Sequence, residues 1–365
     1  MKFKIQRETL LKPIQQIVGA VERRQTMPIL SNFLFRNVNG NLVITATDLE
    51  LEVSASVDVS PDGEAITVPG RKLLDICKSL PEENELNFSH HDNKLELKSG
   101  KSRFTLATLP ADEFPLVDGV EIDESITIDK DKLRSLIEDT SFAMAQQDVR
   151  YYLNGLMMEA KEDTLRTVAT DGHRLSMAET QFETEGMDRQ VIVPKKAVQE
   201  FMRILAASAN GKVELLFSQN HLQANLDEIK FVTKLIDGKF PDYQRVIPEG
   251  HQYIASIERE ILRSSLMRTS ILSNEKYRGI RLSFFKNNLK IQAHNPEQEE
   301  AEEIIDVTYD GPEIEIGFNV SYLIDVLNSI KSDQVNFYLQ DTNSSLLIVS
   351  PETEHRKYVV MPMRL

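Results

Sequence analysis

The segment Asp171-Gly172-His173-Arg174 contains the residue types that acid–base catalysis uses. Histidine can act as a general base and a neighbouring carboxylate can orient it, so one interpretation is a hydrolase built on Asp171, His173 and Arg174. The sequence does not complete such a site, because it has no Gly-x-Ser-x-Gly elbow, no glycine-rich phosphate loop and no Cys/His metal spacing. We therefore expect a protein that is not an enzyme, with no catalytic residue, no metal and no cofactor.

The same segment belongs to an internal repeat. Ala169, two residues before Asp171, has counterparts in Ala46 and Ala293 at spacings of 123 and 124 residues. The first counterpart continues as Asp48-Leu49-Glu50 and the third as Asn295-Pro296-Glu297. Histidine is therefore not part of the repeated pattern, which weakens the hydrolase interpretation.

Three further landmarks recur in the same order along the chain. They are 67–72 with 192–196 and 316–319; Phe104-Thr105-Leu106 with Phe231-Val232-Thr233 and Tyr358-Val359-Val360; and Glu113-Phe114-Pro115 with Lys239-Phe240-Pro241. A period of about 125 residues suits an independently folding domain rather than a solenoid repeat. We predict three domains, residues 1–125, 126–253 and 254–365.

Each repeat contains two helical patterns separated by short strands. Leu10, Ile14 and Ile17 have helical spacing, and residues 72–80, 195–205 and 320–330 predict a second helix in each repeat. Residues 42–46 and 289–293 read as strands. The sequence therefore predicts an α+β fold with three tandem copies of a domain in which two helices pack on antiparallel sheets.

Composition restricts the class of protein further. The chain has 365 residues, more than one hydrophobic core usually serves, and its single cysteine, Cys77, excludes an intramolecular disulfide. The first residues, Met1-Lys2-Phe3-Lys4, are charged where a signal peptide is apolar, and no apolar run is long enough for a membrane span. We expect a cytoplasmic protein with no membrane partner.

The net charge of −15 opposes a nucleic-acid partner, because a uniformly acidic surface repels phosphates. Basic residues nevertheless recur where the second helices begin, at Arg71, Lys72, Lys195 and Lys196. One interpretation is an ordinary solvated face on each amphipathic helix. The other is that equivalent basic helices turn to one common side, where Lys196 would contact DNA.

The first and third repeats contain segments of opposite charge. Lys98, Lys101 and Arg103 flank Phe104 and Leu106 in the last strand of the first repeat. The third repeat has an acidic run, with an apolar pair nearby: Glu297, Glu299, Glu300, Glu302 and Glu303, with Ile271 and Leu272. Opposite charges at the ends favour head-to-tail association, which closes as a ring or continues as a filament. The alternative is a solvated acidic loop and a charged edge strand.

Segments spread over the whole chain resemble one family, the bacterial sliding clamps, which are the beta subunits of the replicative DNA polymerase III. The segments are 148–155, 167–175, Phe240-Pro241-Asp242-Tyr243, Ser273-Asn274-Glu275-Lys276, 295–303 and 358–365. The resemblance implies a head-to-tail homodimeric ring whose helices line a central hole. It also implies a processivity factor that encircles duplex DNA and slides, because contacts to the DNA backbone carry no sequence information.

The resemblance assigns roles to individual residues. The DNA contacts would be Arg24, Gln147, Tyr151 and Tyr152. The dimer interface would place Phe104 and Leu106 against Ile271 and Leu272, and Lys72 and Arg103 opposite Glu297, Glu299, Glu300, Glu302 and Glu303. A groove for partner peptides would be formed by Leu153, Thr170, Gly172, His173, Arg174, Leu175, Pro241, Arg245, Val246, Asn319, Tyr322, Ser345, Val359, Val360, Met361, Pro362, Met363 and Arg364. Tyr277 departs from the family pattern, in which we expect phenylalanine.

The groove also has a physical rationale in the sequence. Its leucine, valine, proline and methionine side chains would form an adaptable apolar patch beside Arg174 and Arg364. Such a patch suits a short peptide with hydrophobic anchors and an acidic group. The resemblance implies that these peptides belong to the polymerase catalytic subunit, clamp loader subunits, other polymerases and repair proteins. A linear scaffold that binds proteins without encircling DNA is the remaining alternative.

Overall fold

Each repeat folds into the same series of elements: a strand, a helix, four strands, a second helix and three strands. The computed structural model describes residues 1–22, 27–117, 120–183 and 186–364. The first repeat contains β1 (Lys2–Gln6), α1 (Arg7–Ile17), β2 (Asn32–Val38), β3 (Asn41–Thr47), β4 (Leu51–Val57), β5 (Ile66–Pro69), α2 (Gly70–Ser79), β6 (Glu85–His91), β7 (Lys94–Ser99) and β8 (Ser102–Ala107).

The second and third repeats keep this order. The second contains β9 (Glu124–Asp129), α3 (Lys130–Thr140), β10 (Gly155–Lys161), β11 (Thr164–Thr170), β12 (Arg174–Gln181), β13 (Arg189–Pro194), α4 (Lys195–Ala207), β14 (Lys212–Phe217), β15 (His221–Leu226) and β16 (Ile229–Lys234). The third contains β17 (Tyr253–Glu258), α5 (Arg259–Thr269), β18 (Gly279–Phe285), β19 (Asn288–His294), β20 (Glu300–Asp306), β21 (Ile314–Asn319), α6 (Val320–Ser329), β22 (Gln334–Leu339), β23 (Leu346–Val349) and β24 (Arg356–Val360). The α+β class and the three tandem copies are confirmed.

Strand pairing gathers these elements into two compact units. The first unit, residues 1–134 and 196–235, holds a sheet of order β1-β6-β7-β8 and a sheet of order β5-β2-β3-β4-β16-β15-β14-β9. The second unit, residues 135–195 and 236–365, holds a sheet of order β13-β10-β11-β12-β24-β23-β22-β17 and a sheet of order β20-β19-β18-β21. Both units therefore contain strands from the second repeat.

Each eight-stranded sheet is continuous across the boundary between two repeats. In the first unit β4 pairs antiparallel with β16, from Leu51 opposite Thr233 to Ala55 opposite Ile229. In the second unit β12 pairs antiparallel with β24 over residues 174–178 and 356–360. We call these pairings the first and second junctions. Each one joins the fourth strand of one repeat to the last strand of the next repeat.

Burial follows the apolar periodicity of the sequence. Leu10, Ile14 and Ile17 are fully buried on one face of α1, as their helical spacing predicts. The equivalent last strands β8, β16 and β24 each carry an aromatic residue, and Phe231 and Tyr358 are almost completely buried. Asn319 caps the start of α6, because its side-chain oxygen accepts a hydrogen bond from the backbone N–H of Ser321 at 2.9 Å.

Residues 240–246, which follow β16 and which we call the covering segment, pack on one face of the sheet that contains β10 and β11. Phe240 and Tyr243 are 3% and 5% exposed and pack in a hydrophobic cluster with Met157, Val168 and Ile192. These apolar side chains explain why this sheet face is covered rather than solvated. The covering segment also forms one wall of the groove described below.

Three general features complete the fold. None of the helices within the described ranges is long and apolar enough to cross a membrane. The same part of the chain contains no cluster of three or more potential metal ligands. Cys77 is a buried free thiol, and burial raises its pKa to about 12, so it stays protonated at neutral pH.

Candidate binding groove

The second unit contains a largely apolar cavity of about 190 Å³ at the second junction. Its walls come from a short turn before β10, the turn between β11 and β12, the covering segment, and the end of β24. The residues that line it are Arg150, Tyr152, Leu153, Thr170, Gly172, Arg174, Leu175, Pro241, Tyr243, Val246, Val359 and Met361. A concave apolar surface with a few polar groups at its edge is the usual form of a ligand site.

Nine of the predicted groove residues line this cavity, and nine lie elsewhere. The lining includes Leu153, Thr170, Gly172, Arg174, Leu175, Pro241, Val246, Val359 and Met361. Met363 and Arg364 line a neighbouring cavity together with Asn274 and Tyr277. The others outside the lining are His173, Arg245, Asn319, Tyr322, Ser345, Val360 and Pro362.

Three lining residues were not predicted for the groove. Arg150 and Tyr243 were not singled out for any role, and Tyr152 was predicted to contact DNA. The full burial of Val360 in the core of the third repeat keeps its side chain away from the cavity. Val359 packs in the cluster beside the cavity instead, in keeping with the alternation of neighbouring side chains along a strand.

The turn between β11 and β12 is built from side chains that bond their own backbone. The Asp171 carboxylate accepts hydrogen bonds from the N–H groups of His173 at 2.9 Å and Arg174 at 3.1 Å. Gly172 has φ +88°, a left-handed conformation that favours glycine. The His173 side chain is exposed, and the carboxylate of Asp171 is used by the turn. This geometry argues against the hydrolase interpretation.

Arg174 fixes the second junction as well as lining the cavity. Its guanidinium donates to Asp171 at 3.1 Å, to Asp325 of α6 at 2.6 Å and to the carbonyl oxygen of Phe142 at 2.8 Å. The guanidinium carbon also lies 4.5 Å from the centre of the Tyr322 ring and 5.4 Å from that of Phe142. Because these contacts occupy the guanidinium, the part of Arg174 best placed to meet a ligand is its aliphatic stem.

The chain beyond β24 forms an extended edge of the groove. The N–H of Met361 donates to the carbonyl oxygen of His173, and that of Met363 donates to Gly317, both at 2.9 Å. Met361 is 44% exposed beside the cavity. A methionine in this position can adjust its three side-chain torsions to different ligands.

The predicted DNA contacts have different surroundings. Arg24 lies outside the described residues. Gln147 is exposed and has φ +56°, and Tyr151 is 74% exposed. The ammonium group of Lys196 pairs with Asp48 and lies 3.8 Å from Glu22, so it reinforces the first junction.

The predicted dimer residues lie on two edge strands and a short turn. Arg103, Phe104 and Leu106 are in β8, and Arg103 pairs with Glu96 at 2.5 Å. Glu300, Glu302 and Glu303 are in β20, Glu297 and Glu299 precede it, and Ile271 with Leu272 forms the turn after α5. Ile271 is 76% exposed, Leu106 is buried at 8%, and Lys72 is exposed at the start of α2.

The whole chain is similar to known proteins. Models of the N-terminal, central and C-terminal domains of the DNA polymerase III beta subunit match residues 1–118, 127–242 and 244–364. The chain is 53% identical over 369 residues to a beta sliding clamp of Pseudomonas aeruginosa and 46% identical over 367 residues to one of Escherichia coli K12, with 100% of each chain covered.

Solved structures agree with the sequence comparison. A crystal structure of the DNA polymerase III subunit beta from Pseudomonas aeruginosa has a TM-score of 0.96 at 50% identity, with 100% of both chains covered. A sliding clamp from the same organism, solved bound to griselimycin, has a TM-score of 0.95 at 52% identity, again over 100% of both chains. The beta subunit of Caulobacter crescentus has a TM-score of 0.94 at 36% identity and the same coverage.

Proposed function

The chain belongs to the DNA polymerase III beta subunit family, the bacterial sliding clamps, and we propose that two copies close head to tail into a ring around duplex DNA. In this ring the clamp would slide without reading sequence and would hold the polymerase on its template. We propose that the clamp acts in the cytoplasm. The observation that carries the proposal is the pair of sheet edges that the two internal junctions leave open.

Among the described strands, β8 pairs with β7 alone and β20 with β19 alone. These two strands occupy the positions that pair at each internal junction: β8 is equivalent to β16 and β24, and β20 is equivalent to β4 and β12. A free edge strand is a template for pairing with another chain. We infer a third junction, in which β20 of one copy pairs with β8 of the next.

The internal junctions also predict the register of the third. Lys230 lies opposite Ser54 in the first junction, and Lys357 lies opposite Met177 in the second. The equivalent residues at the open edges are Arg103 and Glu302. Antiparallel pairing would therefore place a guanidinium beside a carboxylate, and opposite charges on facing strands stabilise the pair.

Side-chain contacts at the internal junctions support the same arrangement. At the second junction Phe142 follows α3 and packs near Tyr358 of β24, with ring centres 6.2 Å apart. The equivalent pair at the third junction is Ile271 with Phe104 of the partner copy. This explains how an isoleucine that is 76% exposed in a single chain would become buried.

At the first junction a basic residue of a second helix contacts the turn before β4. Lys196, near the start of α4, pairs with Asp48 in the turn before β4. Arg71 of α2 is the equivalent of Lys196, and Lys72 is the next residue of that helix. The equivalent turn before β20 contains Asn295 and Glu297. We propose that Lys72 meets Glu297 of the next copy, so that Lys196 serves its own junction in addition to any contact with DNA.

We further propose that the cavity of the second unit binds short hydrophobic peptides of partner proteins. Its lining is apolar, its edge carries the exposed Met361, and the partly exposed guanidinium of Arg150 lies at its rim. The replicative polymerase, clamp loader subunits, other polymerases and repair proteins would compete for it. Griselimycin, which a related clamp binds, would occupy the same cavity.

Retention on circular DNA tests the ring. The chain, loaded onto nicked circular duplex DNA, should stay bound through gel filtration at moderate salt and should leave when the DNA is cut once. A topological link predicts this dependence on DNA ends, whereas charge contacts alone predict release governed by salt. A linear scaffold would bind partner peptides but show equal retention on circular and cut DNA, and this result would refute the proposal.

A further inference from the structure

The covering segment that forms one wall of the groove has few attachments to the sheet beneath it. It contributes Pro241, Tyr243 and Val246 to the cavity lining. Arg245 is 86% exposed at its side chain and pairs only with its neighbour Asp242, at 2.8 Å, among the described residues. Within the described residues, the Tyr243 hydroxyl makes all of the side-chain hydrogen bonds that join residues 241–246 to the sheet.

The Tyr243 hydroxyl is hydrogen-bonded to a charged triad formed by Glu159, Arg166 and Glu179. Arg166 donates to it from Nη1 at 2.7 Å, and the hydroxyl donates to Oε2 of Glu159 at 3.1 Å. Arg166 also donates to Glu159 at 2.6 Å and, from Nε, to Glu179 at 2.7 Å. These three charged residues are direct neighbours across β10, β11 and β12. The triad therefore spans the three strands that carry the opposite side of the groove.

The triad is a firm anchor because it is poorly solvated and its members are joined by charge-assisted hydrogen bonds. The side chains of Arg166, Glu159 and Glu179 are 22%, 15% and 30% exposed. Burial raises the pKa of Tyr243, so its hydroxyl remains a proton donor at neutral pH. Hydrogen bonds to charged groups are roughly twice as strong as neutral ones. The ring of Tyr243 packs in the apolar cluster, and its hydroxyl fixes where the ring and the attached wall can sit.

We propose that Arg166, acting through Tyr243, is a positioning residue that holds the groove wall in the conformation that accepts a partner peptide. The inference rests on the proposed peptide-binding function and names the device that prepares that site. Without the hydroxyl contact the ring stays buried, but the wall occupies its binding conformation for a smaller fraction of the time. Apparent affinity falls by that fraction, and the loss appears in the association rate.

The variant Tyr243→Phe removes one oxygen and keeps the ring. The matched control is Tyr338→Phe, because Tyr338 packs against the same cluster but does not line the cavity. Labelled griselimycin is the probe, and binding rates are measured by stopped-flow fluorescence on the full-length dimer. We expect Tyr243→Phe to weaken binding by roughly twofold to thirtyfold, the range for network residues. The association rate should fall, with the dissociation rate and the control near wild type.

A second variant separates positioning from general stability. Arg166→Lys keeps the positive charge but cannot contact Glu159, Glu179 and the hydroxyl together, so it should slow association in the same way. Unchanged association rates in both variants would overturn the inference. So would a loss seen only as faster dissociation together with a lower melting temperature, because that marks a general structural role. If the unaltered chain binds no griselimycin while staying on circular DNA, the proposed groove function itself fails, and the inference falls with it.

Discussion

The turn after α5 offers the most direct test of the third junction. Ile271 is 76% exposed and Leu272 is partly exposed in the single chain, although both are large apolar residues. By equivalence with Phe142, which packs near Tyr358 at the second junction, they would be buried against Phe104 of the next copy. The double variant Ile271→Ala with Leu272→Ala removes this contact while leaving the hydrophobic core of the chain unchanged.

The expected magnitude follows from the exposed area and from symmetry. Fully burying such a side chain contributes about 1.5–3 kcal/mol, so we assign about 1.5 kcal/mol to Ile271 and about 1 kcal/mol to Leu272, which has less surface left to bury. A closed dimer contains two copies of the junction, so the total loss is about 5 kcal/mol. Since each 1.4 kcal/mol is a factor of ten, the dimer should dissociate several thousandfold more readily.

Sedimentation equilibrium over a range of concentrations measures this change. The control is Ile254→Ala, since Ile254 is 47% exposed but lies on β17, at an edge where no junction is proposed. The double variant should be monomeric at micromolar concentration, keep the wild-type melting temperature and still bind griselimycin, because the groove lies within one unit of a single chain. A double variant that stays dimeric at that concentration would refute the equivalence between Ile271 and Phe142.

Two further predictions concern the groove edge and the core. Deleting residues 361–365 should leave the dimer intact and weaken polymerase and clamp-loader peptides by several-fold or more, because anchor residues carry most binding energy; unchanged affinity in calorimetric titration would contradict this. Burial raises the pKa of Tyr309 from 10.0 to about 12, and its hydroxyl donates to the carbonyl oxygen of Pro312 at 2.7 Å. The stability that this protonated phenol contributes is complete below pH 10 and is lost as the pH rises through about 12. Tyr309→Phe should therefore reduce the decline in unfolding free energy over this range, measured by urea denaturation; an equally steep decline would show that other groups cause it.

The repeat and its elements could be predicted from the sequence because they depend on local pattern. The counterparts of Ala46 at 169 and 293 occupy equivalent strands, β3, β11 and β19, and the second helices begin close to the predicted residues. Alternating burial, helical spacing and turn residues are all readable within a few residues of each position. The sequence therefore predicts which segments form helices and which form strands.

The junction contacts could not be predicted, because they depend on which strands meet. Nothing local to Lys196 indicates that Asp48, 148 positions earlier in the chain, lies beside it, so the sequence does not predict this ion pair. Arg166 and Tyr243 likewise meet only after the covering segment folds back. Val360 is buried in the core of the third repeat, whereas its neighbour Val359 lines the cavity, and the sequence alone does not show which of the two faces which side.

In the proposed ring the third junction would use the same strand pairing as the two internal junctions, so the difference between them would lie in connectivity. The first two join repeats of one chain, whereas the third would join separate chains and would depend on concentration. Such a ring would have to open to admit circular DNA, and the proposed third junction is the place where opening would break no sheet within a chain. Facing residues of antiparallel strands have Cα atoms about 4.5–5.5 Å apart, within disulfide range, so Arg103→Cys with Glu302→Cys should crosslink the ring on oxidation.

The native Cys77 is buried and should not compete for this crosslink. The oxidised double variant should run as a covalent dimer, fail to load onto circular DNA, and load again after reduction. Oxidation after loading should instead make the clamp resistant to salt and to dilution while the DNA stays circular. Arg103→Cys alone is the control, since it has no partner cysteine. If the oxidised ring loaded as fast as the reduced one, opening would have to occur inside a chain, and the pairing of β4 with β16 or of β12 with β24 would have to break instead.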